Sequence, residues 1–196
     1  MRHCFNSGTG EPVEATPLCP SIRMFHSRLL ALLAALVCAA GATRAEEIKP
    51  PFGLHWGETM TRMERLLDGA KARVTVRRQV EGRDVWEVEG ILANDLQRTL
   101  FYFTNNELVE VELQYKTDTW DEEKYTKFMD DVRRKLETKF GEPQLVAKRE
   151  EPLGEVMQKV IGWKWNKNNT AIELFYFSAQ NATQIFRALS VHYKTF

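Results

Sequence analysis

From Phe52 onward the apolar and polar positions fall into a repeating order: a short helical pattern, four alternating runs, a second helical pattern, four more runs. Met63, Leu66 and Leu67 stripe the first helix at the spacing of one helical face, and Gly69 ends it. Thr61-x-x-Glu64 reads as a capping box, in which each side chain satisfies a backbone N–H that the helix leaves unpaired. Val74, Val76 and Val80 then alternate with polar residues, as a half-buried strand requires. Runs over 85–92, 97–104 and 107–116 follow, and Asn105-Asn106 joins the last two as a hairpin loop whose residues tolerate positive φ. Thr119-x-x-Glu122 is a second capping box. Tyr125, Phe128, Met129, Val132, Leu136 and Phe140 recur at helical spacing until Gly141 and Pro143 stop them. Four further strands are predicted over 144–150, 155–165, 170–178 and 185–195.

Leu100-Phe101-Tyr102-Phe103 recurs as Leu174-Phe175-Tyr176-Phe177, and Tyr115-Lys116 as Tyr193-Lys194. Shared sequence at a shared place in the element order reads as internal duplication. The expected fold is therefore α+β: two tandem helix-plus-four-strand antiparallel units, about 52–117 and 118–196, with helices on one face of the sheet.

Hairpin register then sorts the side chains between faces. Pairing outward from Asn105-Asn106 with strict alternation sets Tyr102 opposite Val109 and Leu100 opposite Val111, an apolar layer assigned to the core. Phe101 and Phe103 fall on the other face with Glu110, Glu112 and Gln114. A turn centred on Lys167-Asn168 sets Trp163 opposite Ile172 and Ile161 opposite Leu174, again as core. Phe175 and Phe177 then share the outer face with Lys164, Glu173, Ser190 and His192. Two phenylalanine pairs on one partly polar surface predict a contact site, because contiguous exposed apolar patches mark interaction surfaces. The expected binding residues are Phe101, Phe103, Phe175, Phe177, Glu110, Glu112 and His192.

The start of the chain changes the compartment. Arg28, the unbroken apolar run over 29–39, and the A-x-A-like ends at Ala40-Gly41-Ala42 and Thr43-Arg44-Ala45 make residues 24–45 a signal peptide. The run is shorter than the roughly 20 residues a spanning helix needs, so no transmembrane helix is expected after cleavage. Residues 1–23, rich in Gly and Pro, read as a mis-assigned start or a leader without structure. The mature domain, 46–196, is expected in the periplasm or outside the cell. Cys4, Cys19 and Cys38 all precede it, so no disulfide is expected there.

Charge narrows the partners. Residues 1–45 hold four of the 27 basic and two of the 27 acidic residues, leaving 23 against 25. Without a basic excess or stripe, nucleic acid is not an expected partner.

Catalysis lacks material. The mature domain has two serines, Ser178 and Ser190, and two histidines, His55 and His192. Ser190 and His192 point to one sheet face, but neither sits in a nucleophile elbow. Two distant histidines without cysteine make no zinc signature, and no cofactor is expected. Trp56, beside His55, is expected to plug the end of the core.

The F-G-L-x-W-G entry at Phe52–Gly57, the capped helices and the twice-used helix–four-strand order resemble the tandem α/β fold of the bacterial beta-lactamase inhibitor proteins. The single unit is similar to the small lipoproteins of the outer-membrane barrel assembly machinery. That family's domains carry disulfides and this one has no cysteine. What the resemblance implies is a non-enzymatic protein that binds another protein or an envelope component on the sheet face opposite its helices. The alternatives are a structural envelope component and an enzyme of unrecognised type.

Overall fold

The structure is a computed structural model and describes residues 47–196 apart from Leu92, Asn94 and Asp118. The expected leader and signal peptide lie outside the described residues. In chain order the elements are α1 (Met60–Gly69), β1 (Arg73–Val80), β2 (Arg83–Glu89), β3 (Arg98–Thr104), β4 (Glu107–Tyr115), α2 (Glu122–Phe140), β5 (Gln144–Leu153), β6 (Val156–Lys167), β7 (Thr170–Gln180) and β8 (Ile185–Thr195). Among the described residues no helix is long and apolar enough to cross a membrane.

The expectation of two tandem units is corrected by one finding. All eight strands form a single antiparallel sheet in the order β1-β2-β3-β4-β8-β7-β6-β5. β4 pairs with β8 over six positions, from Glu110 opposite Lys194 to Tyr115 opposite Leu189. Neither four-strand half is a separate unit, because each would otherwise expose a strand edge where β4 and β8 now satisfy one another.

Neither helix is capped by its predicted box: the cap lies two residues before Thr61 in α1 and two residues after Thr119 in α2. Thr59 caps α1 by accepting from the Arg62 N–H, and Asp121 caps α2 by accepting from the Lys124 N–H at 2.8 Å. Thr and Asp side-chain oxygens serve this role equally well, so the nearest one that fits the chain path takes it.

One core lies between the sheet and the helices. Its first row crosses the strands as Trp86, Phe101, Val111, Tyr193, Ile172 and Trp165. Val88, Thr99, Leu113, Val191, Leu174 and Trp163 make the next. Met63 and Leu67 of α1 and Tyr125, Met129, Leu136 and Phe140 of α2 pack into the same cluster. Trp56 closes against it half-buried, with its indole N–H donating to the Ile48 carbonyl at 2.8 Å.

The face assignment of β3 is also corrected. Phe101 and Phe103 are 1% and 0% exposed, in the core beneath α1. The cause is a β-bulge. Asn105 and Asn106 do make the tight turn, both with positive φ, and Thr104 does face Glu107. Phe103 then faces Leu108, but Tyr102 faces Glu110, so Val109 is an extra residue on β4. One inserted residue moves the partner strand to the opposite face. Leu100 and Tyr102 therefore lie on the side away from the helices.

In β6 and β7 the register is offset by two from the predicted one, with Trp165 opposite Ile172 and Trp163 opposite Leu174. A two-residue offset preserves the faces, and Phe175 and Phe177 do point away from the helix-covered core.

The two phenylalanine sets should thus differ in stability. Phe101→Ala is expected to cost about 3–5 kcal/mol, the usual loss for a fully buried aromatic, and Phe177→Ala less than about 1 kcal/mol. Urea unfolding monitored by circular dichroism measures both; equal losses would contradict the bulged register.

Candidate functional site

The sheet face away from the helices is built from three charged rows and two apolar ones. Row by row from the β4–β8 seam, Tyr102, Glu110 and Lys194 come first. Next is Glu87, Leu100, Glu112, His192, Glu173 and Lys164. Arg98, Gln114, Ser190, Phe175 and Gly162 follow. Ala188, Phe177 and Val160 form the fourth row, and Phe186 and Ala179 lead the fifth.

Glu110 is the node of the charged rows. Although only 6% exposed, its carboxylate meets Arg83 at 2.7 Å, His192 Nδ1 at 2.9 Å and Lys194 at 3.7 Å. Lys194 continues to Glu173 at 2.8 Å, and Lys164 meets the same carboxylate at 3.0 Å. On the other side, Tyr102 donates to Glu112 at 2.6 Å, Gln114 donates to Glu112, and Arg98 spans Gln114 and Glu87, both at 2.6 Å. The Arg83 guanidinium also stacks over the Tyr102 ring, 4.7 Å from its centroid. The belt crosses six strands without a gap.

Its electrostatics follow from this pairing. Burial alone would raise the Glu110 carboxyl, but the His192 hydrogen bond, the Lys194 charge and the Arg83 hydrogen bond outweigh it and hold the group below its ordinary 4.5. Glu173 behaves alike: burial raises it, and Lys194 and Lys164 bring it below 4.5. Tyr102 goes the other way. Burial, its hydrogen bond to Glu112 and the neighbouring carboxylates push its hydroxyl well above the usual tyrosine range.

Next to the belt the surface turns aromatic. Phe175 meets the His192 ring edge-on at 5.9 Å, and Phe177 contacts Phe186 at 6.0 Å. The Phe175 ring lies across Gly162, where an added Cβ would stand 2.3 Å from the ring edge. Glycine in a strand here marks the close approach of that ring.

Of the seven expected binding residues, the structure brings Glu110, Glu112, His192, Phe175 and Phe177 onto one surface. Phe101 and Phe103 are not on it. Sequence reasoning missed Arg83, Arg98, Tyr102 and Lys194, whose places depend on the bulge and on the β4–β8 seam. Phe186 was missed as well, although its alternation with Ala188 and Ser190 marks it as sharing their face.

One geometry resembles a hydrolase relay: Ser190 Oγ lies 3.0 Å from His192 Nε2, and His192 Nδ1 lies 2.9 Å from Glu110. The rest of the apparatus does not accompany it. β8 is paired on both sides at Ser190, with Gln114 and Phe175, which commits its N–H groups to the ladder. Acyl transfer needs free donors aimed at a developing oxyanion. Among the described residues no group of three or more His, Cys, Asp or Glu is placed to hold a metal ion. No family model, curated protein or solved structure matches the chain.

The Glu110 shift carries a pH dependence. A carboxyl held below its unfolded value adds stability above about pH 4.5, lost as pH falls through the lower folded value. Glu110→Gln is expected to cost on the order of 1–3 kcal/mol at neutral pH. The gap between variant and parent should close on acidification below 4.5. Urea midpoints measured across that range check it, and a pH-independent gap would contradict it.

Proposed function

We propose that the mature chain is an exported, non-enzymatic binding module that docks another protein or an envelope component on the sheet face turned away from its helices. The observation that carries this reading is the adjacency, on the sheet face turned away from the described helices, of a pre-paired charged belt and the aromatic group of half-buried Phe175 and Phe177 with exposed Phe186. An interface needs an apolar centre with a polar surround, and the rows supply both in register.

Pre-pairing matters energetically. Long charged side chains usually lose rotamer freedom on binding, at about 0.5–1.5 kcal/mol each. Arg83, Arg98, Lys164 and Lys194 are already held by carboxylate partners on other strands of the sheet. That lowers the ordering cost of a contact. Mixed charges across the belt contribute orientation and partner discrimination more than raw affinity. The reading as an enzyme is set aside because the Ser190–His192–Glu110 relay lies on a flat ladder whose amides are engaged.

The test is retention of an envelope-extract component on the immobilised protein. A Phe177→Asp/Phe186→Asp variant should lose at least tenfold of the retained species, while Lys135→Glu on the exposed side of α2 should retain it. Circular dichroism verifies that each variant is folded. Equal retention by both folded variants, or none by the parent, overturns the sheet-face reading.

A further inference from the structure

A second site lies away from the charged belt, where the chain leaves β4, enters α2 and begins β8. A cavity of about 180 Å³ opens there. Its walls are held in place. Trp120 is buried and meets Tyr125 edge-on at 5.2 Å. The Tyr125 hydroxyl accepts from the Thr117 N–H at 3.0 Å and donates to the Arg187 carbonyl at 3.3 Å. Phe186 forms part of the mouth, with Lys116 Nζ 4.8 Å from its ring centroid.

Two cations line this cavity, Lys116 and Arg187. Arg83, Arg98, Arg133, Lys159, Lys164 and Lys194 all have carboxylate partners. Among the described residues Lys116 and Arg187 have none. The Arg187 Nε is buried and makes no hydrogen bond. Glu122, which feels the Arg187 charge through space, accepts a hydrogen bond from Lys159 at 2.8 Å. A buried donor without an acceptor is costly, and an ionised acceptor recovers more than a neutral one.

We propose that this cavity binds a small carboxylate carried on a single planar apolar ring. Arg187 and Lys116 receive the carboxylate, and the ring lies against Trp120 and Phe186. Size supports one ring: a cavity of roughly 150 Å³ accommodates benzene. Charge selects the anion, because Lys116 and Arg187 line the cavity beside Trp120, Tyr125 and Phe186 and have no carboxylate partner among the described residues. The site shares Phe186 with the sheet-face reading but is tested through Lys116 and Arg187, which that reading does not use.

The experiment is an NMR titration of the full chain with sodium benzoate, following indole N–H signals, with Trp120 assigned by Trp120→Phe. Saturable movement of the Trp120 signal is expected, with a dissociation constant on the order of 1 mM for so small a ligand. Arg187→Gln and, separately, the milder Lys116→Gln should each weaken it about tenfold. Benzyl alcohol and inorganic phosphate are the comparison probes and should not saturate that signal. Binding of benzyl alcohol as tight as benzoate overturns the carboxylate, and equally tight phosphate overturns the ring. No saturable movement with benzoate, or unchanged affinity in folded Lys116→Gln, overturns the site.

Discussion

The β4–β8 ladder is the constraint on which the rest of the molecule depends. It joins strands that lie some eighty positions apart in sequence and makes one sheet of eight. Glu110 and His192 meet only because that seam sets Glu110 opposite Lys194 and Glu112 opposite His192. The core depends on it too, since Val111 and Tyr193 face each other across the same seam and pass the apolar row from the α1 side to the α2 side. Long-range pairing of this kind carries a loop-closure cost that local hairpins avoid. The seam therefore contributes least to early structure and most to the finished surface.

Local elements were legible in the sequence because local physics makes them. The stripe Tyr125, Met129, Leu136, Phe140 is the buried face of α2, and Gly141 ends it with a φ of 84°. Face parity in β6 to β8 was legible as well: a register error of two leaves every side chain on its proper side. Parity in β3 was not. The extra residue Val109 reverses β3 relative to β4, and nothing in Leu-Val-Glu-Val-Glu-Leu announces which valine is unpaired. Both Tyr102 with Leu100 and Phe101 with Phe103 are apolar enough for a core. The choice is made by helix contacts that hydrophobic pattern alone does not encode. Of the candidate site, the acid and histidine positions on β4 and β8 were readable. The basic partners on β2, β3 and the far end of β8 were not, since they are assigned by strand order.

The bulge on β4 also explains why the duplicated motif ends up in two environments. Leu-Phe-Tyr-Phe on β3 turns its phenylalanines inward toward α1, while the same four residues on β7 turn theirs outward. Tyr176 is in the core at 1% exposure, and Tyr102 reaches Glu112 on the outer face. Identical sequence thus serves opposite faces, and the bulge on β4 is the difference between them. Motif recurrence is a statement about sequence; which atoms reach solvent is a statement about register.

The charged belt is not what makes the fold stable. Replacing paired, poorly solvated charges by well-packed apolar groups is often neutral or stabilising, and Val85, Leu100 and Ala171 show that this face accepts apolar residues at full burial. Removing single partners is a different matter, because Glu110 would leave Arg83, Lys194 and His192 facing one another. The belt is therefore an all-or-none arrangement: its members tolerate one another collectively and their loss singly is penalised. Such networks fix side-chain positions more than they add stability. On the sheet face turned away from the described helices, fixed positions are what a partner would meet under the proposed docking, with the aromatic rows beside them supplying the area that would leave water. Under that proposal the fixed charges would supply orientation and the neighbouring phenylalanines affinity.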